Sequence, residues 1–167
     1  EAMAKGFNAL CFHDVELVPG PQLKGFYKLH PTRRPIHPAA CWGRYKYETY
    51  VGGILTMSDA HFRATNGYPN NFWGWGGEDD ALYRRMKMNS LFPPTRPPSD
   101  MEGSITDLED VIKRGYLDPG FRGRTSIKEV LPTVVPDLGY DDLEIQNGDE
   151  AAVQFLRMAN GEIGPAD

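Results

Sequence analysis

Apolar positions along the chain gather into short blocks parted by turn-forming residues. Residues 7–18 form an apolar run that acquires acids toward its end, and Pro19-Gly20-Pro21 stops it. Proline cannot donate to a ladder and glycine opens the turn, so a buried strand is predicted over 7–18, with its chemistry at the far end. Residues 20–46 are a long connection rich in Pro, Arg, His and aromatics, without a period. Residues 50–57 predict a second strand, and the paired Gly52 and Gly53 suggest close approach of another backbone or a ligand. Ser58 can cap a short helix running through Asn66, which Gly67 stops.

Residues 67–77 are a loop of Gly, Asn and aromatics. Glu78 to Met88 then predicts a helix: Leu82 and Met86 share one face, and three acids occupy the first turn, where the helix dipole favours them. At Phe92–Ser99 the composition shifts to a stiff, proline-rich linker. Beyond it Ser104–Arg114 predicts a capped amphipathic helix with Ile105, Leu108, Val111 and Ile112 on one stripe, and Asp149–Asn160 predicts another. No internal repeat is present. The expected organisation is therefore a chemistry-bearing region over 1–91, a linker over 92–99 and an accessory tail with two helices over 100–167.

At 167 residues the chain is about one domain long, and 40% apolar residues suffice for a core. A net charge of −5 argues against nucleic acid as a partner, since displacing counterions from phosphate needs a cationic surface. No apolar run approaches the roughly 18 residues of a membrane span. The opening Glu-Ala-Met-Ala-Lys lacks a basic-then-apolar leader, so the sequence reads as a fragment whose targeting signal, if any, lies outside it. Cys11 and Cys41 suit either one bridge or two thiols.

Two constellations carry chemical character. Asp14 and Glu16 alternate onto one face of the first strand. Such carboxylates repel unless a cation sits between them, and hard oxygen donors suit Mg2+ or Mn2+, which could neutralise a diphosphate; the plain alternative is two solvated acids at a strand end. In Trp73-Gly74-Trp75-Gly76-Gly77-Glu78-Asp79-Asp80, three glycines around two tryptophans describe a movable lid, with Trp75 able to stack on a sugar. Of the acids that follow, one can hold polyol hydroxyls while another acts as general base. The plain alternative here is a tryptophan core plug followed by an acidic first turn. His13 reads as a local hydrogen-bonding residue, Arg33 and Arg34 as a solvated turn, and Trp42, Tyr45 and Tyr47 as packing under a long loop.

The segments Phe12-His13-Asp14-Val15-Glu16-Leu17-Val18-Pro19, Tyr50-Val51-Gly52-Gly53-Ile54-Leu55 and 66–80, in this order, resemble the β-1,4-galactosyltransferase family over about residues 8–90. The stretch from His37-Pro38 to Val51 and the helix around Leu82-Tyr83-Arg84-Arg85 look most like its xylosylprotein branch. The resemblance implies an α/β fold of the GT-A, Rossmann-like glycosyltransferase type, of which the chain would hold the C-terminal half, followed by an unrelated helical tail. It implies Mn2+-dependent, inverting transfer of galactose from UDP-galactose to a glycan or glycoprotein acceptor, in the Golgi lumen. Asp14 and Glu16 would be metal ligands and Asp79 the catalytic base. Tyr50, Trp75, Gly76, Gly77, Glu78 and Asp80 would bind substrate.

The chain departs from the family pattern in three ways. Glu16 stands where the family has Asp. All four histidines (His13, His30, His37 and His61) precede the acidic motif, so the family's downstream metal histidine has no counterpart. The uridine-binding half that precedes the acid-x-acid strand is not in this sequence. These departures motivate an alternative, a non-catalytic galactosyltransferase-like subunit of a larger assembly, with partner subunits on an open sheet edge. A lectin-like binder that needs no metal is a third reading.

Overall fold

A computed structural model describes residues 5–44, 47–69 and 77–139, together with Val153, Gln154, Arg157 and Glu162. The described residues divide into two units, one reaching Gly115 and one starting at Tyr116.

The first unit is built on strand β1 (Ala9–His13) running antiparallel to β3 (Ile54–Ser58), in a register that sets Ala9 opposite Ser58 and His13 opposite Ile54. Every residue of β3 is buried, whereas β1 is only partly covered. The reason lies on the far edge of β3, where Ile36 exchanges two backbone hydrogen bonds with Thr56 and also bridges Thr95. β3 is thus central and β1 peripheral, contrary to the expected buried strand. That strand is also shorter than expected. The backbone turns at Asp14, with Leu17 N–H donating to the Asp14 carbonyl at 3.1 Å. The chain then resumes as β2 (Leu17–Pro19), which pairs antiparallel with β4 (Ile105–Asp107).

Ser58 leaves β3 as the N-cap of α1 (Asp59–Thr65), its hydroxyl accepting the His61 N–H at 3.2 Å, as the sequence predicts. Asn66, with φ 55°, is the left-handed residue that ends α1. Helix α2 spans Glu78–Met88, the predicted bounds, and its buried residues are Leu82 and Met86. They pack with Val51, Leu55, Met57 and Leu91 in one of two hydrophobic clusters. The other joins Leu17, Leu23, Ala39, Cys41, Trp42, Tyr50, Ile54 and Ile105. Cys41 is buried and Cys11 exposed, and both are free thiols.

The expected helix over Ser104–Arg114 is instead β4 followed by α3 (Leu108–Lys113). Along 105–107 burial alternates, with Ile105 and Asp107 in and Thr106 out, which is the period of a strand. Asp107 caps α3 by accepting the Glu109 N–H at 2.8 Å, and its other carboxylate oxygen pairs with Arg44. The proline-rich stretch expected as a linker is tied into this unit too: Thr95 N–H donates to the Pro35 carbonyl at 2.8 Å, and Arg96 donates to the Glu48 carbonyl at 2.7 Å. In the second unit, α4 (Ile127–Val134) packs on a 3-10 turn at Pro119–Phe121, whose Phe121 is buried. The sequence offered no assignment there. The helix expected over Asp149–Asn160 lies largely outside the described residues, as does Tyr45.

Leu82 and Met86 are the contacts that hold α2 on the sheet. Leu82→Ala should cost about 2–5 kcal/mol in urea denaturation, whereas Met88→Ala, on the exposed face of the same helix, should stay within about 0.5 kcal/mol. Equal losses at the two positions would mean that α2 is not anchored in this way.

Candidate functional site

Three segments of the first unit bring the candidate residues together. The first is the turn at Asp14, whose backbone N–H donates to the Gly53 carbonyl at 2.8 Å. The second is the loop Tyr50–Gly53 leading into β3. The third is the start of α2, where Gly77 serves as N-cap with φ 94°, a backbone conformation that suits glycine.

The second and third segments touch at Gly52. A Cβ there would overlap an Asp79 carboxylate oxygen, would lie 2.8 Å from Asp79 Cγ and 2.9 Å from Tyr50 Cε2. The close approach read from the paired glycines is therefore that of a side-chain carboxylate, Asp79, and of the Tyr50 ring. Gly53 takes φ 76°, and a Cβ on it would sit 2.8 Å from the Tyr50 hydroxyl oxygen. Tyr50 itself is buried.

The electrostatics tie Asp14 to the same place. Burial pushes the Asp79 carboxyl up to about 6, and the charges of Glu78, Asp14 and Asp80 push in the same direction. Asp14 is likewise raised by burial and by Glu16, with His13 opposing and Glu78 adding. The dipole of α2 favours charged carboxylates in its first turn, but burial and like charge prevail at Asp79. Glu78 has one carboxylate oxygen buried without a hydrogen-bond partner. Asp80 is exposed, as one step of about 100° around the helix from a half-buried Asp79 allows.

Two residues join the site that the sequence reading passed over. Tyr68 is raised by burial and by Asp79, Asp14 and Glu78, so a neutral phenol lies in the field of three carboxylates. It also packs edge-on against Phe12, with ring centroids 4.9 Å apart. Its position inside the segment 66–80 was the available signal. His37 is fully buried and its Nε2–H donates to the Gly52 carbonyl at 2.8 Å; nothing in its local pattern marked it. His13 bonds the Asp14 carbonyl at 2.7 Å and the Tyr27 hydroxyl at 2.9 Å, the local role expected of it. Trp75 and Gly76 lie outside the described residues.

Asp14 and Glu16 offer two hard oxygen donors whose mutual repulsion a divalent cation would relieve, so their chemistry fits such an ion. Among the described residues no group of three His, Cys, Asp or Glu gathers to hold a metal, so further donors would have to come from ligand or water. Among the described residues, no helix is long and apolar enough to cross a membrane.

A family model described as the N-terminal domain of galactosyltransferase matches residues 35–106. Human β-1,4-galactosyltransferase 7 is 42% identical over 86 residues, which is 47% of this chain and 24% of that protein. Rat β-1,4-galactosyltransferase 6 is 36% identical over 113 residues, 65% of this chain and 28% of that protein. The chain thus spans about a quarter of the length of these curated relatives. A crystal structure of a mutant Drosophila β-1,4-galactosyltransferase 7 in complex with manganese, UDP-Gal and xylobiose matches with a TM-score of 0.55 at 29% identity, over 64% of this chain and 46% of that one. The fold is accordingly that of part of a GT-A galactosyltransferase catalytic domain. With its acidic turn, its Gly-Gly loop and its acid-led helix, this chain is similar to the β-1,4-galactosyltransferases over the stretches that match.

Proposed function

We propose that the chain is part of a galactosyltransferase that moves galactose from UDP-galactose to a sugar acceptor with inversion, forming a β-1,4 linkage. The observation that carries this reading is the packing of the Asp79 carboxylate on Gly52 beside Tyr50, within the field of Asp14. A partly desolvated carboxylate, the Tyr50 ring and a second carboxylate share one neighbourhood, which supports reading them as base, donor-sugar contact and cation ligand. The acceptor follows the xylosylprotein branch in this reading, supported by the xylobiose bound in the Drosophila relative. The Golgi lumen is the compartment that goes with it.

In this mechanism Asp79 takes the proton of the acceptor hydroxyl as that oxygen attacks the anomeric carbon. The bond from that carbon to the UDP oxygen breaks on the opposite face, which inverts the configuration. A base is most effective when its pKa lies near the working pH, and a carboxyl raised to about 6 meets that better than one near its ordinary value. Asp14 and Glu16 would hold Mn2+, which supplies charge neutralisation for the departing diphosphate. Glu78 and Asp80 bind acceptor and donor hydroxyls. Tyr50 contacts the donor sugar, and Trp75, Gly76 and Gly77 are substrate-binding residues in this reading.

The experiment is a transfer assay on the complete natural protein with UDP-galactose, Mn2+ and a xyloside. Asp79→Asn should lower kcat by about 10²–10⁴-fold, the range of a positioned general base. Transfer unchanged in Asp79→Asn would remove Asp79 from the mechanism, and no transfer by the wild type would remove the activity.

The same residue makes a stability prediction of opposite sign. Because its folded pKa is raised from 3.8 to about 6, the native state holds this proton more tightly than the unfolded chain does. That stabilisation is complete below about 4 and is lost as pH rises through about 6. Asp79→Asn escapes the loss. Between pH 4 and pH 7 its stability relative to wild type should therefore improve, by on the order of 1 kcal/mol once solvent screening is allowed for. Parallel urea midpoints of the two proteins across that range would contradict the burial assigned to Asp79.

A further inference from the structure

We propose that His37 is a positioning residue for this site: its imidazole fixes the Gly52 carbonyl, and so holds the glycine surface on which the Asp79 carboxylate rests. The inference rests on the reading of Asp79 as the base.

Three observations carry it. First, the backbone of His37 is anchored without help from its ring, since its N–H donates to the Thr95 carbonyl at 2.8 Å and the neighbouring Ile36 is bonded to Thr56 in both directions. The ring is therefore free of the job of holding its own segment of backbone. Second, the ring spends its single donor on Gly52. A carbonyl only accepts, so the proton sits on Nε2, 2.8 Å from the Gly52 oxygen, which also receives the Ile54 N–H at 3.0 Å. The ring edge meets Tyr50 at 5.4 Å between centroids and 62° between planes, so one side chain contacts both ends of the Tyr50–Gly52 turn. Third, Nδ1 is buried without a hydrogen-bond partner. An acceptor left dry in this way costs stability that an apolar side chain would not. Packing alone therefore does not explain a histidine here, whereas the N–H to Gly52 does.

The consequence follows from the tolerance at Gly52. Asp79 Cγ would stand only 2.8 Å from a Cβ built there, so the carboxylate lies hard against the peptide. A rotation of that peptide by a few tenths of an ångström would move the Asp79 oxygens, and misplacements of about 1 Å at a reacting group can cost on the order of 100-fold in rate. Burial holds the imidazole neutral, its pKa lowered to about 4, so the donor stays in place across the neutral range.

The test compares His37→Leu, which removes the donor, with His37→Gln, whose amide can still donate toward Gly52, both in the complete protein. His37→Leu should lower kcat on the order of 100-fold with KM for UDP-galactose within about twofold, and His37→Gln should recover most of that loss. Wild-type kinetics in His37→Leu, or equal losses in the two variants, would overturn the proposal. So would a fall in kcat that only tracks the folded fraction seen by circular dichroism. Should His37→Leu not fold, His37→Asn, whose amide is too short to reach Gly52, replaces it with the same expectations. Crystal structures give a readout that needs no activity: the Gly52 carbonyl and the Asp79 carboxylate should shift in His37→Leu and stay in His37→Gln. If the wild type transfers nothing, the proposed activity fails, while an unmoved Asp79 in His37→Leu would separately defeat the positioning role.

Discussion

The arrangement depends on the seating of α2 against β3 through Leu82 and Met86. Both side chains are fully buried on Val51, Leu55 and Met57, and that contact decides where the helix begins. Because Glu78 and Asp79 lie one helical turn before Leu82, anchoring Leu82 over β3 brings the acidic turn down beside Gly52. Arg85 reinforces the placement from the same helix by donating to the carbonyls of Thr65 and Gly67, at 2.7 and 2.5 Å. Full burial of two such apolar side chains stabilises by about 3–6 kcal/mol in total. A carboxyl displaced by roughly two pKa units costs at most about 3 kcal/mol when ionised, and less with partial exposure. The apolar contact therefore wins, and the fold carries a destabilised carboxylate without losing the helix.

The same comparison explains the shape of the loop before β3. Gly52 has to lack a Cβ because Asp79 and the Tyr50 ring both press on it, and Gly53 has a positive φ under the Tyr50 hydroxyl. These are separate requirements that happen to fall on adjacent residues. One concerns space and the other backbone conformation. Alanine at Gly52 would meet the first, and alanine at Gly53 would meet the second and a Leu17 methyl carbon at 3.2 Å as well.

What could be read from the chain followed from periodicity and capping. The bounds of α2 were legible because Leu82 and Met86 repeat at helical spacing behind an acidic first turn, and Ser58 announced α1 through its cap. Ile105 and Leu108 also fit a helical stripe, and there the reading failed, because Asp107 caps from the middle of the run and the β2 edge recruits Ile105–Asp107 as a strand. The interruption at Asp14 was hidden for a related reason. The apolar pattern resumes after it, and only the backbone bond from Leu17 N–H back to the Asp14 carbonyl shows that the chain has turned. Within the site, the acid pairs and the Gly-Gly step were visible as types at spacings. The role of His37 was not, since it depends on Ile36 being drawn to the edge of β3, a pairing between distant segments that no local window contains.

Among the acids that open α2, environment separates their chemistry more than sequence does. Asp80 is exposed, so its carboxylate faces solvent. Glu78 has a longer side chain, and its buried oxygen lacks a partner, which suits a group waiting for a hydroxyl donor from a ligand. Asp79 is drawn toward neutral pH by burial, and the carboxylates around it add to that effect instead of cancelling it. A cation held by Asp14 and Glu16 would remove part of the like-charge contribution and leave burial, the largest cause, in place. The basicity of Asp79 as the proposed base is therefore set chiefly by the packing of Gly52 and α2, and it survives a change in the charge of its neighbours.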